Sequence, residues 1–349
     1  MSRIAAVHKV LAPYRHQQHE ITDLVHAYLP AAQRAVLDRL HAAAKVRCRH
    51  TVLPLDGYAA LDGFGAANDA FITAAVEMGT QAVGGALHTA GIPPSAVDLL
   101  VFTSTTGMAA PSIDARLAGL LGLRPDTKRL PVFGLGCVAG AAGIGRLHDY
   151  LRGWPGHVAV LLCVELCSLT FQREDLSPAN LVASALFGDG AAALVACGTG
   201  REPQPVGPTV VATRSRLYPD TERTMGWDIT SSGFRIVLDP GIPGIVRGHL
   251  AQDIDGFLAD HGLTRREIGT WVCHPGGPKV LDAIAQALSL PEGALDLTWR
   301  SLAEVGNLSS ASVLHVLRDT LQRKPPAGTW GLLLALGPGF CSELVLLRW

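Results

Sequence analysis

One stretch constrains the chain more than any other: Leu130–Tyr150, which reads LPVFGLGCVAGAAGIGRLHDY. Leu130–Phe133 has the apolar pattern of a short buried strand. Gly134 and Gly136 permit a tight turn, and Cys137 follows at once. Behind it runs a helix rich in small residues, ending near Gly153 and Pro155. A cysteine on such an elbow stands at the positive end of a helix dipole, where a thiol pKa is expected to fall and the thiolate to be favoured. A buried structural cysteine has the same local pattern, so the elbow alone leaves two readings open. Gly140 and Gly143 let the helix pack closely, so the elbow is expected to lie deep in an α/β core.

The composition agrees with a large core. Of 349 residues, 48% are hydrophobic and 17% charged, which excludes a disordered chain. The 29 basic and 30 acidic residues leave no net field for nucleic acid, and no Lys/Arg run suggests a membrane surface. The 7 cysteines are odd in number and mostly lie in apolar runs, which argues against a disulfide scaffold and for a reducing, cytoplasmic setting. Cys163 and Cys167 lack zinc-site spacing, and no clustered His or carboxylate pattern supports a metal. No apolar run is long enough to span a bilayer, and the N-terminus has no signal-peptide pattern.

Along the chain, short apolar strands alternate with amphipathic helices. Strands are expected at Arg3–Val10 (an edge strand), Leu99–Ser104, His157–Val164 and Phe187–Ala196, the last entered through a Gly-Asp-Gly turn. Helices are expected at His19–Leu29, Gln33–Ala44, Asn68–Thr89 and Ser112–Leu121. Lys45–His50 reads as a solvated basic patch. Gly198–Pro208, rich in Gly and Pro, reads as a boundary between two halves, 1–205 and 206–349. The second half repeats the style of the first. Strands are expected at Thr209–Thr213, Phe234–Leu238, Thr270–Cys273, Gly331–Leu336 and Glu343–Leu347. Helices are expected at Gly244–His261, Pro278–Leu288 and from Asn307 to about Gln322. This is an α/β protein with buried sheets.

Three polar residues stand where apolar strands end or buried helices begin, each beside glycine: Cys137, His274 in VCHPGGPKV, and Asn307 in EVGNLSSAS. A satisfied structural histidine and a plain asparagine N-cap are the ordinary readings of the last two. All three failing together is much less expected. Thioester acyl transfer fits the set: cysteine as nucleophile, histidine raising its thiolate fraction, histidine and asparagine donating to an oxyanion or enolate.

GLGCVAG, HPGGPKVLDA, GNLSSAS and LGPGF, in this order, resemble the type III polyketide synthases, the relatives of chalcone and stilbene synthase. The resemblance covers nearly the whole chain. It implies a thiolase-like fold of five αβαβα layers in two pseudo-repeated halves, acting as a homodimer on CoA thioesters with no further cofactor. Cys137 would carry the starter and growing chain; His274 and Asn307 would promote malonyl decarboxylation. Phe187 and Phe234 match the family's aromatic gatekeepers, and Gly337, Pro338 and Gly339 its cavity-shaping loop. Cys167, Thr170, Met225 and Ser309 would line the substrate cavity, and Arg39, Gly276 and Gly277 would meet CoA. Ala335 and Leu336 replace the first two members of the plant Gly-Phe-Gly-Pro-Gly loop, Ala110 stands where plant enzymes send a methionine across the dimer, and Cys167 replaces a cavity threonine.

RLYPDTERTMGWD and ALGPGFCSELVLLRW look more like the actinobacterial alkylpyrone and alkylresorcinol synthases. That likeness implies a fatty acyl-CoA starter extended with malonyl-CoA, or a methylated malonyl-CoA, its tail in an apolar tunnel near Cys167 and Met225. The rivals are a single-condensation ketoacyl synthase III working on carrier protein, and a catalytically silent partner subunit on the same fold. GLGCVAGAAG lacks the dinucleotide glycine spacing and a ribose-binding acid, which sets a nucleotide site aside.

Overall fold

A computed structural model describes residues 1–349. The first half runs β1 (Ser2–Leu11), β2 (Tyr14–Gln17), α1 (Gln18–His26), α2 (Ala31–Ala43), β3 (Cys48–Thr51), α3 (Gly63–Ala90), β4 (Leu99–Thr103), α4 (Ile113–Leu121), β5 (Lys128–Val132), α5 (Ala139–Gly153), β6 (Val158–Leu166), α6 (Pro178–Leu186) and β7 (Asp189–Gly198). The second runs β8 (Thr209–Leu217), β9 (Met225–Thr230), β10 (Gly233–Leu238), α7 (Ile242–Ala259), β11 (Ile268–Cys273), α8 (Pro278–Leu288), α9 (Asp296–Val305), α10 (Ser312–Gln322), β12 (Trp330–Gly337) and β13 (Cys341–Arg348).

Nine strands hydrogen-bond in the order β11-β12-β13-β8-β1-β7-β6-β4-β5. The two halves of this row join only at a corner, where Ser2 and Arg3 pair with Val210 and Thr209. Each half therefore acts as its own sheet. The apolar clusters sort the helices into layers. Helices α3 and α4 cover the outer face of β1, β4, β6 and β7 through Phe71, Ala75, Met78 and Leu117. Helices α7 and α8 cover the outer face of β11–β13 through Val246, Leu250, Ile254, Leu281 and Ile284. Helices α5 and α10 lie between the sheets, where Ala141, Ile144, Val313, Leu314 and Leu317 share one core with Leu161, Leu194, Leu333 and Val345. The result is the five-layer αβαβα, thiolase-like architecture. No helix is long and apolar enough to cross a membrane.

The small residues of α5 have a geometric cause. A Cβ on Gly140 would fall 2.3 Å from the Ser310 carbonyl oxygen, so only glycine lets α5 meet the turn before α10. Gly136, at φ +51°, would direct a Cβ to 2.6 Å from the Pro338 ring. These two contacts press the Cys137 elbow of one half against two loops of the other.

Several expectations need correction. Leu130–Phe133 is not buried: β5 is the outermost strand, paired only with β4, and Leu130 and Phe133 are 42% and 45% exposed. β1 is not a free edge along its length, because its start pairs with β8. Lys45–His50 is not wholly solvated: Cys48 and Arg49 turn inward on β3. Asn307 does not cap a helix. It sits five residues ahead of α10 and bridges to Phe187, its N–H donating to the Leu186 carbonyl while its own carbonyl accepts from Gly188 N–H.

Candidate active site

Cys137 lies in a single 3-10 turn, Gly136–Val138, that runs directly into α5. It borders a cavity of about 1350 Å³ whose walls reach out to the exposed Pro30, Glu174 and Leu176. The sulfur therefore has a passage to the surface. Its one side-chain hydrogen bond is to Ser309 Oγ, 3.6 Å away. Ser309 N–H donates to Asn307 Oδ1 at 2.8 Å. Asn307 Nδ2 donates to the Gly276 carbonyl at 3.3 Å. Gly276 lies against the His274 ring, since a Cβ there would come 3.6 Å from His274 Cδ2. A chain of contacts thus runs from the sulfur through Ser309 and Asn307 to the imidazole.

The Asn307 amide is oriented by this network. Its oxygen is held by the Ser309 N–H, which leaves one Nδ2 hydrogen uncommitted. His274 is buried, its N–H donates to the Leu334 carbonyl, and neither ring nitrogen has a protein partner. Unpartnered buried ring nitrogens are costly unless a ligand supplies the bond.

The electrostatics correct one expectation. Burial pushes the Cys137 thiol up to about 12 and the His274 imidazole down to about 3. Glu165 adds to the rise at Cys137. Both groups rest neutral, so the helix start alone does not make the sulfur anionic. A thiolate and an imidazolium formed together would each reduce the burial cost of the other.

Other predicted residues scatter around this centre. Phe187, Cys167, Thr170, Met225, Pro338 and Ser309 border the cavity. Gly337 packs on the elbow, where a Cβ would come 2.9 Å from Val138 N, and Gly339 continues the loop away from the cavity wall. Phe234 is buried beside a small neighbouring pocket, its ring against Phe64, Phe133 and Trp227. Arg39 is exposed on α2 and does not reach the cavity, and neither Gly276 nor Gly277 borders it.

Sequence reasoning passed over four polar residues of this wall or just behind it. Glu165 is fully buried at the end of β6, accepting from Thr105 N–H, Thr106 Oγ1 and Ser310 Oγ. Asp189 accepts from Val52 N–H, Ser168 N–H and Ser168 Oγ. Arg49 donates to the Phe187 carbonyl at 2.8 Å, and Tyr58 lies 2.6 Å from Ser168 Oγ. A carboxylate within the apolar run VLLCVEL and another inside Gly-Asp-Gly were the available signals.

The chain matches the family model for the chalcone and stilbene synthase N-terminal domain over residues 26–201, and the C-terminal domain over 209–349. It belongs to that family, the type III polyketide synthases. This synthase is 60% identical to a 1,3,6,8-tetrahydroxynaphthalene synthase of Streptomyces peucetius subsp. caesius, over 99% of this chain and 93% of that one. It is 36% identical to a putative chalcone synthase of Bacillus subtilis, over 90% of this chain and 89% of the relative. Among solved structures, the 1,3,6,8-tetrahydroxynaphthalene synthase of Streptomyces coelicolor superposes with a TM-score of 0.94 at 29% identity, over 99% of each chain. This type III synthase is an acyltransferase that condenses acyl groups with malonyl-CoA, with loss of carbon dioxide.

Proposed function

We propose that this synthase starts from malonyl-CoA, extends with malonyl-CoA, and closes the chain to 1,3,6,8-tetrahydroxynaphthalene, with CoA thioesters as its only small-molecule partners. This replaces the fatty starter and the alkylpyrone or alkylresorcinol product expected from the sequence. The carrying observation is the relative at 60% identity along nearly the whole chain. The cavity supports it. Alongside apolar side chains such as Leu24, Met225 and Leu238, its wall carries the hydroxyls of Thr105, Thr106, Ser168, Thr170 and Ser309. Such a wall suits a chain carrying a ketone on every second carbon.

In this reading Cys137 attacks the malonyl thioester as His274 takes its proton, and the departing CoA thiolate recovers that proton. A second malonyl-CoA then binds with its thioester carbonyl toward His274 and the free Asn307 N–H. The bond to its carboxylate breaks, carbon dioxide leaves, and the enolate held by these two donors attacks the Cys137 thioester. A starter of three carbons and four extensions of two carbons each, with one carbon lost as carbon dioxide, gives a ten-carbon skeleton. The mechanism draws on no metal or redox group.

The synthase is further proposed to act as a homodimer through β5. That strand has one neighbour, and Leu130 on it, Phe133 just after it and Leu120 on α4 at 65% exposure leave an apolar edge uncovered.

The test is to supply malonyl-CoA alone and identify products by mass spectrometry. The expected product is 1,3,6,8-tetrahydroxynaphthalene. No product from malonyl-CoA alone, with ready turnover when a long-chain acyl-CoA is added, would reinstate the fatty starter.

A further inference from the structure

The Gly-Asp-Gly turn that opens β7 takes no part in loading or extension, yet its carboxylate is tied to the cavity wall. Asp189 is fully buried and accepts the Ser168 hydroxyl. With that proton committed to Asp189, the 2.6 Å contact of Ser168 Oγ with Tyr58 has the phenol as donor. Ser168 and Tyr58 both border the cavity, and Asp189 does not. Ser168 follows Cys167 in sequence, and both border the cavity that holds Cys137, so a chain carried on the sulfur grows in the space that Ser168 faces. Its oxygen keeps one lone pair for the cavity.

Ring closure has a chemical need that the Cys137 centre does not meet. A methylene between two carbonyls must lose a proton, and the alkoxide made by attack on a distant ketone must gain one. His274 and Asn307 are occupied at the thioester. We propose that Ser168, with Asp189 behind it, is the acid–base relay that closes the ring. The Ser168 oxygen takes the methylene proton as its own proton passes to Asp189. The resulting enolate carbon attacks a ketone of the same chain and forms the carbon–carbon bond. The proton then returns from Asp189 through Ser168 to the new alkoxide, so the relay ends as it began. Tyr58 positions the Ser168 oxygen throughout. The assignment rests on the ring-forming reading above. It also fits the state of the carboxyl, which burial raises to about 6 against the hydrogen bonds from Ser168 and Val52 and the charge of Arg49, leaving it ionised and able to accept at neutral pH.

The experiment measures ring product per CoA released, with lactones of the unclosed chain counted separately. Ser168→Ala should lower that ratio by about tenfold or more relative to wild type, with lactones taking up the difference. Ser168→Thr, which keeps the hydroxyl, should restore it. An unchanged ratio in Ser168→Ala overturns the relay. So does a fall that Ser168→Thr fails to reverse, which assigns Ser168 to packing alone.

The unaltered enzyme gives an independent reading. Its ratio should fall as pH drops through about 6 and Asp189 is protonated. Arg49, Tyr58 and Cys167, the other charged or titratable groups facing Asp189, all titrate above neutrality and do not change state there. A ratio flat across that midpoint overturns the proposal. The identity of the wild-type ring tests the pentaketide reading separately, because the ratio can be taken for any carbocycle formed. A wild type that forms only lactones overturns the relay.

Discussion

Cys137 Sγ and Ser309 Oγ stand 3.6 Å apart, and through them the first half of the chain touches the second at the point where chemistry is expected. The serine is the sulfur's one side-chain partner. Malonyl-CoA should therefore add a single acyl mass to the peptide containing Cys137, and Cys137→Ala should add none. Ser309→Ala should still be acylated but turn over about fivefold more slowly, since one neutral hydrogen bond is worth about 1 kcal/mol. Intact-mass and peptide mass spectrometry read both. Acylation surviving in Cys137→Ala would remove this residue from the mechanism.

His274 and Cys137 rest neutral because each alone is penalised by burial. Removing the imidazole removes the acceptor that makes the thiolate accessible. In His274→Ala the thiol keeps its burial-raised value near 12, but no neighbouring base is left to take its proton as it reacts. Alkylation of Cys137 by iodoacetamide near neutral pH should slow by about tenfold or more. Equal labelling profiles for wild type and His274→Ala would mean that the ring does not assist the sulfur.

Much of this site was legible in the sequence because glycine marks close approaches. Gly136 and Gly140 flank Cys137 where Pro338 and Ser310 of the other half come within van der Waals limits. That necessity left a readable pattern. What misled the reading was burial by partners that are not neighbours in sequence. The apolar β5 reads as core, yet its outer edge has no strand beside it. Asn307 reads as a helix cap, yet its backbone bridges to Phe187, a pairing that no local pattern encodes. Arg49 reads as one of several surface cations, but β3 turns it inward, and it remains fully buried beside Phe187. The helix start before α5 reads as lowering the Cys137 thiol pKa; burial raises it instead.

Gly140 offers a test of the packing itself. Alanine there would place a methyl 2.3 Å from a backbone carbonyl that cannot move without disturbing the Asn307–Ser310 turn. Overpacking of this kind costs about 1–3 kcal/mol. Gly140→Ala should lower the denaturant midpoint with little change in slope, and it should lower turnover too, because the displaced turn carries Asn307 and Ser309. Gly153→Ala, where a Cβ meets nothing, should leave the midpoint near that of wild type. Equal midpoints for the two variants would mean that α5 can shift freely in its layer.

The exposed edge of β5 makes the final prediction. Its outer edge has no strand beside it in one chain, and the 45% exposed Phe133 follows it directly, ahead of the turn that holds Cys137. An isologous pairing of two such edges would satisfy the backbone groups and cover Leu130, Phe133 and Leu120 at once. Light scattering should then give twice the 36.7 kDa chain mass. Phe133→Asp should give the single-chain mass, because a buried, unpaired carboxylate at the seam costs several kcal/mol. Val206→Asp, at a site 96% exposed and in another part of the fold, should leave the dimer mass unchanged. Activity should fall with Phe133→Asp as well, because the strand it destabilises leads straight into the turn that holds the sulfur. A Phe133→Asp protein that remains dimeric would place the contact elsewhere.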